Sequence, residues 1–163
     1  MASLLVLVFA AAMIAAALTD LASMTIANRL VVALAAAFLP FGLAAGLTAT
    51  AFLLHLAAGM GVLAITFGCF AAGWMGGGDA KLMAAVALWL GPTPELASFA
   101  LWTSILGGVL TLAFLAARSL LSPTTGLAPV DRLLRSDTGI PYGVAIGAAG
   151  LAMVPAMLAS LPA

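Results

Sequence analysis

An all-α, polytopic membrane bundle of six transmembrane helices is the fold class this sequence predicts. Two observations carry it. Two thirds of the 163 residues are hydrophobic and 6% are charged, where soluble domains run near about 25% charged. The apolar residues also fall into stretches of the length a bilayer crossing needs, about 17–25 residues. The mean hydropathy of +1.31 agrees. The length suits one compact transmembrane domain over 1–163 with no separate soluble unit.

The spans are expected at about 3–19, 30–47, 49–73, 80–90, 96–117 and 140–161. The first resembles a signal peptide in its alanine-rich end, but its n-region has no Lys or Arg, so it is read as a retained helix. Only Gly46 and Thr48 suggest the turn between the second and third. The fourth is short and follows three glycines, so 76–78 is expected as unwound backbone sheltered by protein or a wet cavity. Gly91-Pro92 ends it. The segment 118–139 is the longest polar stretch and mostly irregular. Within it, 130–135 could form a short interfacial turn with its leucines in lipid, or a solvated connector.

Charge placement orients this map. Arg29, Lys81, Arg118, Arg132 and Arg135 are all the basic residues, and all follow odd-numbered spans. Positive loops face the cytoplasm. Both termini are then expected outside, with Asp20 and Asp79 together on the cytoplasmic side.

Those aspartates are the candidate site. A carboxylate in a bilayer costs roughly 2.5–3.5 kcal/mol at a helix centre, so it is a functional candidate by default. One histidine, His55, and one cysteine, Cys69, exclude a disulfide framework and a His- or Cys-rich metal site; no metal and no cofactor are expected. Zero net charge gives nucleic acid nothing to bind. There is no G-x-S-x-G run, His55 falls near the outer end of the third span, and no serine lies near Lys81 in sequence. A pair of aspartates sharing one proton remains, one taking a proton from water and the other donating to a carbonyl oxygen. Gly76, Gly77 and Gly78 would let a peptide backbone approach Asp79. Locally, Gly-Gly-Gly-Asp is equally a plain helix start, and Asp20 alone could merely mark where a span meets water. Co-location on one membrane face favours function for both.

The run Gly76-Gly77-Gly78-Asp79-Ala80-Lys81-Leu82 resembles the GxGD segment of the type IV prepilin peptidases. Asp20, followed by Thr25-Ile26-Ala27-Asn28-Arg29-Leu30, resembles the family's first aspartate and its R-I-P-N-x-L-like stretch. Ile140-Pro141-Tyr142-Gly143 resembles the family's I-P-F/Y-G lead-in to the last span, and the three segments keep the family's order. The resemblance implies a membrane aspartyl endopeptidase with Asp20 and Asp79 catalytic. It would cut the short basic leader of a small pilin precursor after a glycine, at the cytoplasmic face of a bacterial inner membrane. The size is similar to the small peptidases of tight-adherence (Flp-type) pilus systems, without the N-terminal methyltransferase region or its paired CxxC motifs. Two departures bear on leader contacts: Ala27 stands where the family has Pro, and 21–27 lacks the usual basic residues. Asp131 and Asp137 are candidate partners for leader charges instead.

The remaining polar groups have plainer roles. Lys81 is read as a supporting residue near the site or a headgroup ligand, and Asn28 as a family position or a cap of the second span. Trp74, Trp89 and Trp102 suit interfacial positions, Cys69 a small buried hydrophobe, and His55 a polar side chain packed between helices. Gly42-x-x-x-Gly46 and Gly143-x-x-x-Gly147 permit close helix packing, within the chain or between copies. The rival from another class is a small proton or cation channel or transporter subunit, with Asp20 and Asp79 as relay. The outer half of the bundle lacks the polar groups such a path needs.

Overall fold

The computed structural model describes residues 1–161, and the last two residues of the expected sixth span's flank lie outside the described residues. It is all-helical: α1 (Ala2–Ser23), α2 (Asn28–Ala44), α3 (Ala49–Ala71), α4 (Gly77–Leu90), α5 (Pro94–Leu120), α6 (Ala128–Leu134) and α7 (Tyr142–Ala159). Four of these, α1, α3, α5 and α7, are long and apolar enough to cross a membrane. The six crossings expected from hydropathy, the fourth of them short, are not supported as a count by helix length: α2 and α4 fall outside these four. Helix α2 has 17 residues and α4 has 14. At 1.5 Å per residue they reach about 25 and 21 Å, short of a hydrocarbon core of about 30 Å.

The shorter of these two helices, α4, is also the most enclosed. Ala80, Leu82, Ala84, Ala85, Val86, Ala87, Trp89 and Leu90 of α4 are all buried. By contrast α3 buries only Gly59 and Thr66, and α5 only Phe99 and Gly107. These two long helices are a sheath whose outer leucines and phenylalanines suit lipid. Helix α3 grips α4 at its two buried residues. A Cβ on Gly59 would stand 3.1 Å from Leu88 Cβ, and the Thr66 hydroxyl donates to Ala80 O at 3.2 Å.

Helices α1 and α7 form the other close pair. Gly143, Gly147 and Gly150 lie along the α7 face toward α1, and a Cβ on Gly147 would meet Met13 O at 2.7 Å. Backbones approach this closely only where side chains are absent, the usual route to dispersion energy between helices in lipid. Gly42 instead abuts Phe52, while Gly46, at φ +72°, turns the chain between α2 and α3.

Several expectations change. Trp89 packs inside the bundle, not on its surface. It is buried, donates from Nε1 to Leu34 O at 2.8 Å and stacks on Phe41 with centroids 4.7 Å apart. Cys69 is only half-buried. His55 does pack between helices, its Nδ1 2.9 Å from Leu88 O and its ring stacked on Phe38. Residues 130–134 belong to α6, with Arg135 as its C-cap, and Leu134 is buried rather than offered to lipid.

Candidate active site

Of the glycine run, only Gly76 lies outside the helix. Gly76 is the N-cap of α4 in extended backbone, and Gly77 and Gly78 form its first turn. Asp79 stands three residues beyond the cap and folds back, Oδ2 lying 2.9 Å from where a Cβ on Gly76 would be. An acidic side chain returning over the cap from this position is the acidic half of a capping box, where a first-turn anion also meets the positive end of the helix dipole. The other glycines are packed. A Cβ on Gly77 would meet Phe70 at 3.2 Å, and one on Gly78 would meet Ile26 Cβ at 3.2 Å.

Asp20 sits in the last turn of α1 and is buried, at 6% exposure. Its main-chain oxygen accepts from Met24 N–H at 2.7 Å, and Met24 closes the helix in the left-handed region at φ 56°. Its side chain reaches α7, where Gly143 N–H donates to Oδ2 at 2.7 Å. Gly143 is in the first turn of α7, so this N–H has no partner within its own helix. A Cβ there would fall 2.8 Å from both Asp20 Cβ and Oδ2. Gly143 was not among the sequence's candidate site residues, although it ends the Ile-Pro-Tyr-Gly segment that marked the last span.

The two carboxylates come together. Asp20, Met24, Thr25, Ile26, Gly76, Gly77, Gly78 and Asp79 line one open cavity of about 230 Å³. Asp79 also faces a second cavity, of about 420 Å³, between α4, α5 and α7.

Lys81 and Asn28 are paired beside the site, not in it. Lys81 Nζ donates to Asn28 Oδ1 at 3.2 Å, and neither residue lines the cavity holding both aspartates. Asn28 does not cap α2, since Ala27 holds the cap position with no side-chain bond. The pair fastens the start of α2 to α4.

The segment 121–141 folds over the same end. Arg132 donates to Leu21 O at 3.3 Å and to Ala22 O, at the open carbonyls of α1. Arg118 donates to Leu133 O and Gly139 O, both at 2.9 Å. The two acids suggested for leader contact already have partners. The Thr125 hydroxyl and N–H, with Gly126 N–H, hold the Asp131 carboxyl below the usual carboxylate range. The Arg135 guanidinium does the same for Asp137 at 2.8 Å. All five basic residues therefore gather with the two aspartates at one end of the bundle. Among the described residues, no three His, Cys, Asp or Glu side chains cluster as a metal site would require.

No curated protein and no solved structure matches the chain. A model of the type IV leader peptidase family matches residues 7–112, more than half the chain and inclusive of Asp20 and the Gly76–Asp79 turn. The chain belongs to the type IV leader peptidase family.

Proposed function

We propose that the protein is an aspartyl endopeptidase that removes the basic leader of a small pilin precursor at the cytoplasmic face of a bacterial inner membrane. The observation that carries this reading is that two carboxylates, 59 positions apart in sequence, line one cavity at the end of the bundle that bears every Lys and Arg. Family membership supports this substrate class.

The chemistry follows from one proton shared between Asp20 and Asp79. The ionised member takes a proton from a water in the cavity while the water oxygen bonds to the scissile carbonyl carbon. The protonated member gives its proton to the carbonyl oxygen. The protonated base then gives the proton drawn from water to the amine nitrogen as the C–N bond breaks, a hydroxyl of the tetrahedral carbon returns its proton to the other aspartate as the carboxylic acid forms, and the pair again holds one proton. Gly143 N–H fixes the Asp20 carboxylate. Gly76 gives Asp79 room to fold back, Gly77 and Gly78 let α4 start tightly against its neighbours, and Lys81 with Asn28 holds α4 to α2.

In a bilayer the chain crosses six times. The two short helices are accommodated differently. Helix α4 is wrapped by protein, and α2 is matched by local thinning of the bilayer, at modest cost per Å. Both termini lie outside and the site faces the cytoplasm, following the segregation of basic residues.

The test is cleavage by purified protein in vesicles of a pilin precursor with a basic leader, followed by mass. Release of the leader supports the reading. An intact precursor, with pH-gradient collapse dependent on Asp20 and Asp79, would support the relay instead.

A further inference from the structure

The second cavity at Asp79 has no role in the chemistry above. It lies between α4 and α5, which barely touch, because α5 leans on α7 instead. Trp74, Met75, Met83 and Ile146 are among its apolar walls, and Thr103, Ser104, Gly107 and Gly108 are its α5 side. Met83 and Ile146 lie one helical turn, about 5.4 Å, further into the bundle than Asp79 and Tyr142. The cavity therefore runs from Asp79 toward the apolar interior, whereas the cavity shared with Asp20 opens among loop residues.

Three features give it the character of a binding groove. The Thr103 hydroxyl is buried and has no hydrogen-bond partner. A buried unpartnered hydroxyl costs roughly 1–3 kcal/mol, which a ligand offering a polar atom would relieve. A Cβ on Gly108 would meet nothing within 4 Å, so this wall is open. The floor is fixed: the Tyr142 ring lies against Gly107, and its hydroxyl is 2.8 Å from Thr111 Oγ1.

We infer that this groove holds the membrane-side residues of the substrate, those just after the scissile bond, and that Thr103 hydrogen-bonds their backbone. This rests on the peptidase reading above. Asp79 is common to both cavities, so one extended chain lying across it would have its loop-side part beside Asp20 and its apolar part against α5. A peptide suits the groove better than an acyl chain. It brings the N–H and C=O groups that Thr103 lacks, and an acyl chain would leave Thr103 and Asp79 facing hydrocarbon.

Two variants and one cross-link test this with the full-length protein in vesicles. The probe is a pilin precursor with a basic leader, a glycine before the cut and an apolar segment after it. Thr103→Val should raise KM about 3- to 10-fold, the worth of one net hydrogen bond, with kcat little changed. Gly108→Leu should cut poorly when a bulky residue follows the scissile bond and regain near wild-type rates when alanine replaces it. In a Cys69→Ala, Asp79→Asn background, with an added mild thiol oxidant as electron acceptor, Ser104→Cys should form a disulfide with a precursor cysteine placed just after the cut. Leu53→Cys, on α3, should not. Normal KM for Thr103→Val, size-independent cleavage by Gly108→Leu and no Ser104 cross-link overturn the groove alone while the wild type still cleaves. A wild type that leaves the precursor intact overturns the peptidase reading, and the groove with it.

Discussion

Gly143 N–H donates to Asp20 Oδ2 at 2.7 Å, joining the first turn of the last helix to the last turn of the first. The contact leaves no room for a side chain at 143, since a Cβ would stand 2.8 Å from the carboxylate. Gly143→Ala should displace Asp20 and lower kcat about 10²-fold, the scale for an ångström of misplacement. Replacing the 143 amide by an ester removes the N–H without adding bulk, and should also lower kcat. Cleavage at the wild-type rate by both would show that Asp20 does not depend on this donor.

Asp20→Asn and Asp79→Asn should each abolish leader cleavage at unchanged membrane levels. Removing both should cost little more than removing one, because the pair acts as a unit. Near wild-type processing by either single variant would sink the dyad.

The Gly78 position separates packing from substrate passage. With Ile26 Cβ at 3.2 Å from the site of a new Cβ, Gly78→Val should destabilise the protein by roughly 1–3 kcal/mol through overpacking. Trimming Ile26 to Ala in the same protein should recover part of that loss in thermal unfolding in detergent. Unchanged stability with lost cleavage would point to a substrate path over Gly78.

Orientation is open to reporter fusions. A reporter after Leu47, in the α2–α3 turn, should be external, and one after Pro123 should be cytoplasmic. A cytoplasmic Leu47 fusion would reverse the orientation of the aspartates.

Arg132 ties 121–141 to the carbonyl end of α1. Arg132→Ala should speed proteolytic nicking between 121 and 141 several-fold, measured in vesicles with that face accessible. Equal nicking rates would show that Arg118 suffices to hold the segment.

Local chemistry made some of this legible and concealed the rest. Asp20 and Asp79 stand out in the sequence because carboxylates are rare in apolar chains, and the alternation of basic loops predicts that they share one end. The start of α4 was harder to read. Three glycines suggest unwound backbone, yet Asp79 folding back over the cap and the packing of Gly77 and Gly78 against Phe70 and Ile26 support a helix from Gly77. Trp89 resembled a boundary residue because tryptophans gather at interfaces. Its burial depends on Leu34 O and Phe41, contacts between segments far apart in sequence. Asn28 resembled a cap, but its partner is Lys81 on another helix. Gly143 stood inside a visible motif, but its value lies in a backbone N–H aimed across 123 positions of chain.

The pairing of α1 with α7 bears on biogenesis. A nascent chain that has inserted through α5 already carries Asp20, Asp79 and the glycine run. Its Asp20 carboxylate has no N–H to accept from until the final helix enters the bilayer beside the first. Assembly of the site is thereby coupled to the insertion of α7, and a chain released before Gly143 is a membrane protein with both acids but without the contact that orders one of them.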